Sequence, residues 1–117
     1  MKRFLSGDEA FAEGVRLAKP QVISAYPITP QTVVVERLSE MVEEGSLNAE
    51  YVHVESEHSA LSCAMGASAT GARTFTATSS QGLLYMAEVL TYAAGGHFPI
   101  VMMNANRATA LPWNIYG

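Results

Sequence analysis

Four polar segments of this sequence carry side chains that could bind a ligand or move a proton. They are Thr29, Glu55-Ser56-Glu57-His58, Ser79-Ser80-Gln81 and Asn104-Ala105-Asn106-Arg107. Each follows a short run rich in β-branched or apolar residues, which predicts that each lies beyond the carboxyl end of a strand. In an open parallel sheet, ligands bind in the crevice outside those ends. We therefore expect the four segments to meet at one site.

Glu57 is the strongest candidate for a catalytic carboxylate. It is the second residue of a segment, residues 56–70, that consists almost wholly of small and apolar residues and predicts a buried helix. A carboxyl group at the start of such a helix faces a crevice rather than bulk water, where it could share a proton with a ligand. The plainer alternative is a first-turn acid stabilised by the helix dipole, worth about 0.3–1 kcal/mol. Glu55 is the weaker candidate because it belongs to the strand end.

Thr29 and Arg107 are candidates for binding an anionic substrate. Thr29 precedes Pro30, and this pair also suits the N-cap and first position of a helix. Arg107 follows an apolar strand, where a guanidinium is costly unless it is paired with an anion. A substrate carboxylate could pair with it, and so could Glu57 or a neighbouring subunit. His58 is interpreted as a packing or hydrogen-bonding residue, because the sequence shows no evident nucleophile or carboxylate partner for it.

The pattern of apolar residues predicts an α/β fold. Ser6 and Glu9 form a capping box that begins the first helix. Helices are then predicted from Thr29, over residues 56–70 and over residues 83–94, and strands over residues 21–26, 51–55, 73–78 and 98–103. Strands separated by helices pair in parallel, so we expect an open, doubly wound parallel sheet. The last strand is continuously apolar, which predicts burial on both faces.

Length and composition limit the function further. The chain has 117 residues, 49% of them hydrophobic and only 15% charged, with a net charge of −4. This balance argues against nucleic acid and membrane partners and favours a surface that is partly covered by another subunit. No apolar run is long enough to span a bilayer and no signal peptide is present, so a cytoplasmic location is expected. Residues 113–116 look like the start of a further segment, so the sheet is expected to be incomplete.

Three strings, in this order and spacing, resemble the 2-oxoacid:ferredoxin oxidoreductase family. They are Tyr26-Pro27-Ile28-Thr29-Pro30-Gln31-Thr32, Glu55-Ser56-Glu57-His58-Ser59-Ala60 and Thr78-Ser79-Ser80-Gln81-Gly82-Leu83. Within the family, the similarity is to the N-terminal domain of the alpha subunits of pyruvate synthases (pyruvate:ferredoxin oxidoreductases). The resemblance implies a thiamine-diphosphate-binding fold, in which residues 1–117 form the N-terminal part of the pyrimidine-binding domain.

The resemblance also implies roles for the candidate residues. Glu57 is expected to contact N1′ of the aminopyrimidine of thiamine diphosphate, and Thr29 and Arg107 to hold the substrate carboxylate. The implied reaction is the oxidative decarboxylation of pyruvate or a similar 2-oxoacid to acyl-coenzyme A, with electrons passing to ferredoxin. Ser80 and Gln81 receive no role.

The resemblance implies partners as well. In this family a Gly-Asp-Gly…Asn segment on a second domain holds the diphosphate and Mg²⁺, and Asp8 is the only aspartate of the chain. A beta subunit is therefore expected to carry that domain, and no metal site is expected here. One cysteine, Cys63, cannot bind an iron–sulfur cluster, so clusters and coenzyme A belong elsewhere in the complex. The isolated chain is expected to be inactive.

Two alternatives remain open from the sequence. One is another thiamine-dependent enzyme, such as a 2-oxoacid decarboxylase or carboligase, which would use the same glutamate with different neighbours. The other is a non-catalytic α/β assembly module.

Overall fold

The computed structural model describes residues 1–109 of this chain. In that range it contains helices α1 Gly7–Ala18, α2 Thr32–Glu43, α3 Glu57–Ala69, α4 Ser80–Tyr85 and α5 Ala87–Gly95, and strands β1 Val22–Ala25, β2 Glu50–His53, β3 Thr74–Thr78 and β4 Ile100–Asn104. The capping box at the start of α1 is confirmed, since the Ser6 hydroxyl accepts from the Glu9 backbone N–H at 3.2 Å. The alternation of strands and helices confirms the α/β class.

The four strands form one parallel sheet in the order β2-β1-β3-β4. Val22 of β1 lies opposite Glu50 of β2 on one side and Thr74 of β3 on the other, so β1 is a central strand. β3 is the other central strand, because it pairs with β1 and with β4. Starting from β1, the chain adds β2 on one side of it and then β3 and β4 on the other side. The strand order therefore reverses between β1 and β3, and the crevice at their carboxyl ends is the position where such sheets bind ligands.

Helices cover both faces of the sheet, which confirms the doubly wound arrangement. Ile23 and Phe75 belong to a core shared with α1 and α2. Side chains alternate along a strand, so Ser24 points to the opposite face, where its hydroxyl donates to the carbonyl of Ala60 in α3 at 2.6 Å. A second core on that face contains Leu61, and the fully buried Met86 is part of it. The small residues of α3 let it approach β1 and β3 closely.

The prediction that the last strand is buried on both faces is wrong. β4 lies at the edge of the sheet in the described part of the chain, and its Val101 is 63% exposed. Every residue of β3 is buried instead, although β3 alternates threonine with apolar residues. Position in the sheet, rather than apolar composition, decides which strand is covered.

The predicted capping role of Thr29 is also wrong. Helix α2 begins at Thr32, with Gln31 in the N-cap position. The preceding residues form a turn in which the backbone N–H of Gln31 donates to the carbonyl of Ile28 at 2.8 Å, and the Thr29–Pro30 peptide bond is cis. Because this turn is fixed by the Gln31 side chain, described below, the helix can begin only after it.

The single helix predicted over residues 83–94 is two helices, α4 and α5, that meet at Met86. Its backbone has φ −89° and ψ 1°, outside the α-helical region, and its side chain is fully buried with Leu61 and Val89. The predicted helix 56–70 is confirmed as α3, but the expectation that it is buried all round is not met. It buries one side, at Ala60, Leu61, Ala64 and Ser68.

The segment predicted at residues 113–116 lies outside the described residues. Within residues 1–109, none of the helices combines the length and apolar character needed to cross a membrane.

Candidate active site

Gln31 fixes the loop that follows β1. Its side chain is fully buried, and Nε2 donates to the carbonyl of Tyr26 at 3.2 Å and to the carbonyl of Ala77 at 2.7 Å. The backbone N–H of Ile28 donates to its Oε1 at 3.4 Å. One amide therefore holds residues 26–31 against the end of β3. This role is not predicted by the sequence, in which the only signal for it is a polar residue beside Pro30.

Arg107 connects the end of β4 to the same loop. Its Nε donates to the carbonyl of Thr29 at 2.7 Å, while Nη1 donates to the Ser80 hydroxyl at 2.9 Å and to the carbonyl of Ala108 at 3.0 Å. The structure thus brings Thr29, Ser80 and Arg107 together, as the sequence predicted for the strand ends. No described carboxylate pairs with Arg107, so the alternative pairing with Glu57 is not observed.

Ser80 occupies an unusual backbone position directly after β3. Its φ of 46° lies in the left-handed region, which non-glycine residues seldom adopt. In this conformation its hydroxyl accepts from Arg107 Nη1, and its single proton has two acceptors within reach, Gln81 Oε1 at 2.5 Å and the carbonyl of Ala108 at 3.0 Å. Ser80 therefore orients the guanidinium, a contribution that the sequence analysis did not assign.

Glu57 is the first residue of α3, at the same edge of the sheet. Ser56 is the N-cap, and its hydroxyl accepts from the Ser59 backbone N–H at 3.1 Å. The Glu57 side chain reaches the end of β3, where it lies beside Gly82 and Thr78. Glu57 is half-buried, and its carboxyl group makes no hydrogen bond to another residue within 1–109. The first-turn position also keeps the helix-dipole interpretation valid.

Glu55 has a different environment from Glu57. The Ser59 hydroxyl donates to its Oε1 at 2.6 Å. That hydrogen bond is the main cause that lowers the pKa of the Glu55 carboxyl below its ordinary value, so Glu55 stays ionised near neutrality. An exposed and ionised carboxylate is a poor proton-sharing group, and Glu57 remains the candidate.

His58 has an acidic neighbour that the sequence did not indicate. Its Nε2 lies 3.8 Å from a carboxylate oxygen of Glu88, and its ring meets the edge of Tyr85 with a centroid separation of 5.9 Å. Both contacts lie on the partly exposed side of α3. His58 acts here as a packing residue between α3 and the segment that contains α4 and α5.

Two hydroxyl groups at the end of β3 are buried, and that of Thr78 adjoins the same space beside Gly82 as the Glu57 side chain. Thr78 Oγ1 and Ser79 Oγ are buried and have no hydrogen-bond partner among the described residues. An aminopyrimidine ring carries both donors and acceptors, so these hydroxyls and the Glu57 carboxyl fit such a ring chemically. By contrast, the described residues contain no group of three His, Cys, Asp or Glu side chains that could hold a metal ion.

Comparison with known proteins gives the family. Residues 13–117 match the sequence model of the family described as "Pyruvate flavodoxin/ferredoxin oxidoreductase, thiamine diP-bdg". The chain belongs to this family. The resemblance seen in the three sequence strings is thereby confirmed.

Curated relatives cover nearly the whole chain. It is 59% identical over 114 residues to pyruvate synthase subunit PorA of Methanocaldococcus jannaschii, covering 97% of this chain and 29% of the relative. It is 52% identical over 116 residues to ketoisovalerate oxidoreductase subunit VorA of Pyrococcus horikoshii, covering 99% of this chain and 29% of the relative. The chain therefore spans less than a third of the length of these relatives.

A solved structure shares the fold. It is described as 2-oxoglutarate:ferredoxin oxidoreductase from Magnetococcus marinus with 2-oxoglutarate, coenzyme A and succinyl-CoA bound. The match has a TM-score of 0.82 and 31% sequence identity, and it covers 88% of this chain and 18% of that one. The predicted parallel α/β architecture is confirmed by this similarity as well as by the strand order.

Proposed function

We propose that residues 1–117 form the N-terminal part of the pyrimidine-binding domain in the alpha subunit of a thiamine-diphosphate-dependent 2-oxoacid:ferredoxin oxidoreductase. The reaction is the oxidative decarboxylation of pyruvate or a similar 2-oxoacid to acyl-coenzyme A, with electron transfer to ferredoxin. One observation carries the proposal. At the strand-order reversal between β1 and β3, Glu57 reaches the end of β3 and Arg107 connects to Thr29.

Glu57 is proposed as the residue that activates the cofactor. Thiamine diphosphate, when bound, supplies the carbon that attacks the ketone of the substrate and accepts the electron pair released with carbon dioxide. The Glu57 carboxyl would donate a hydrogen bond to N1′ of the pyrimidine, which favours the imino form of the cofactor's 4′-amino group, the form that can act as a base. Its half-buried position at the start of α3 suits a group that must share a proton.

Arg107 and Thr29 are proposed to bind the substrate carboxylate. The Nε and Nη1 atoms of Arg107 already donate to Thr29, Ser80 and Ala108. No acidic side chain among residues 1–109 pairs with the Arg107 guanidinium, so its positive charge is available to bind an anion. The exposed Thr29 hydroxyl lies on the same loop and can donate a second hydrogen bond. A carboxylate held there would orient the adjoining ketone.

A beta subunit is proposed to hold the diphosphate and Mg²⁺, because the family resemblance implies a Gly-Asp-Gly…Asn segment for them and Asp8 is the only aspartate of this sequence. Iron–sulfur clusters and coenzyme A are assigned to other parts of the complex, and ferredoxin is the electron acceptor. The proposed compartment is the cytoplasm. The isolated 117-residue chain should therefore show no turnover, with or without added cofactor.

The test uses the assembled enzyme with pyruvate, coenzyme A and ferredoxin or methyl viologen. Glu57→Gln should lower kcat by about two to four orders of magnitude, as for other acid–base groups, while Glu55→Gln serves as the matched control. Retention of more than about a tenth of the rate in Glu57→Gln would contradict the proposal.

Two other outcomes would support the alternatives. Release of carbon dioxide without reduction of the acceptor would indicate a decarboxylase or carboligase. Calorimetry that shows no heat of thiamine diphosphate binding to the assembled protein would indicate a non-catalytic module.

A further inference from the structure

Gly82 lies where the end of β3 meets the Glu57 side chain. A Cβ atom built on Gly82 would approach Glu57 Cγ to 2.8 Å and Glu57 Oε1 to 3.1 Å, and it would come closer still to Thr78 Oγ1. Gly82 does not have a positive φ, so its backbone conformation does not require glycine. The space that a side chain would occupy is taken by Glu57 and Thr78.

The neighbour that would yield to an added Cβ is Glu57. Thr78 is fully buried, and a β-branched side chain in a central strand has little freedom about χ1. Glu57 is half-buried, unbranched and free of hydrogen bonds to the described residues. A side chain at position 82 would therefore displace the Glu57 carboxyl from the end of β3.

We propose that Gly82 is a positioning residue for the Glu57 carboxyl, and that its missing side chain sets where that carboxyl meets the cofactor. This inference rests on the proposed function of Glu57. It differs from a structural role in a measurable way. A glycine needed only to let α4 pack against β3 would, on change to alanine, lower the thermal midpoint through the contact with Thr78 and leave the Glu57-dependent chemistry of the folded enzyme unchanged.

The first experiment compares Gly82→Ala with Gly66→Ala in the assembled enzyme. Gly66 lies on α3, the same helix as Glu57, and an added Cβ there meets nothing within 4 Å. Gly82→Ala should lower kcat about 100-fold, as expected for an ångström-scale misplacement, with KM for pyruvate unchanged. Gly66→Ala should keep the wild-type rate and thermal midpoint, and kcat of Gly82→Ala is measured well below its own midpoint, where the enzyme is folded.

A second measurement does not depend on turnover. Hydrogen–deuterium exchange at C2 of the bound thiamine diphosphate, followed by NMR without substrate, should slow in Gly82→Ala by a similar factor. The calorimetric Kd for thiamine diphosphate should change less than about tenfold, because the diphosphate is held elsewhere. Wild-type exchange in Gly82→Ala, alongside a loss in Glu57→Gln, would overturn this inference alone. Wild-type rates in Glu57→Gln would overturn the proposed function and this inference with it.

A double variant provides the rescue. Thr78→Ala removes a buried hydroxyl that has no described partner, so it opens space at little cost and lets the methyl group added at position 82 settle toward β3. Measured against Thr78→Ala alone, adding Gly82→Ala should lower kcat much less than it does in the wild-type background, and Thr78→Ala alone should assemble normally. An equal fall in both backgrounds, or failure of both Gly82 variants to assemble, would overturn the inference and make Gly82 a folding residue.

Discussion

Arg107 Nε donates a 2.7 Å hydrogen bond to the carbonyl of Thr29, a residue 78 positions earlier in the chain. This bond joins the end of the edge strand β4 to the loop after the central strand β1, across the end of β3. With Ser80 and Ala108 accepting from Nη1, backbone and side-chain oxygens from three segments fix the guanidinium. An arginine held in this way can bind a carboxylate without first ordering its own long side chain.

Replacing Arg107 by lysine should weaken substrate binding. Lysine keeps the charge but cannot reproduce the separate Nε and Nη1 hydrogen bonds. Loss of a hydrogen bond to a charged group costs about 1.5–3 kcal/mol, so KM for the 2-oxoacid should rise by roughly 10- to 100-fold in steady-state assays. Arg73→Lys is the control and should leave KM unchanged, because Arg73 precedes β3 and lies at the amino-terminal end of that strand, away from Arg107. An unchanged KM in Arg107→Lys would contradict the assignment.

Thr29→Val should affect substrate binding without affecting stability. An N-cap hydroxyl would stabilise the helix by about 1 kcal/mol, but the N-cap position of α2 is Gln31, and Thr29 is exposed. We expect a change in stability below about 0.5 kcal/mol, measured as an unchanged thermal midpoint of the assembled enzyme. KM should rise as for Arg107, and Thr70→Val at the far end of α3 is the control. A clear fall in the midpoint would restore the capping role.

Gln31→Met should destabilise the protein. Methionine has a similar length but cannot donate to the carbonyls of Tyr26 and Ala77. The bond to the Ala77 carbonyl is buried, and its loss leaves that carbonyl without this donor at a cost of about 1–3 kcal/mol, which should lower the urea midpoint of unfolding. Gln21→Met removes an exposed glutamine that also accepts one backbone hydrogen bond, and it should cost much less. Equal midpoints for the two variants would show that the buried amide does not fix the loop.

Glu55 should contribute to stability in a pH-dependent way. Its folded pKa is lowered, mainly by the Ser59 hydroxyl, so its ionised form stabilises the fold at pH above its ordinary value of 4.5. That contribution is lost as pH falls through the folded pKa. The wild type should therefore have a higher thermal midpoint than Glu55→Gln at neutral pH, and the difference should shrink below pH 4.5. A difference that does not vary with pH would refute this. Activity should survive in Glu55→Gln, unlike in Glu57→Gln.

Local sequence signals predicted most of the secondary structure. The capping box at Ser6, the apolar stripe of α2 and the small residues of α3 act within a few positions of one another, so they can be read along the chain. The same is true of Glu57, whose place at the start of α3 follows from its neighbours. The boundaries that were wrong, at Thr29 and Met86, depend on side chains that bind or pack far along the chain.

The amino-acid sequence by itself determined the α/β class, the family strings and the set of polar groups at the strand ends. Each of these depends on residue type and on periodicity over short distances. Only the tertiary structure decided that β3 and not β4 is the buried strand, that Gln31 fixes the Thr29 loop, and that Gly82 borders Glu57. Those relationships join residues from different strands and helices, and strand order and packing bring them together.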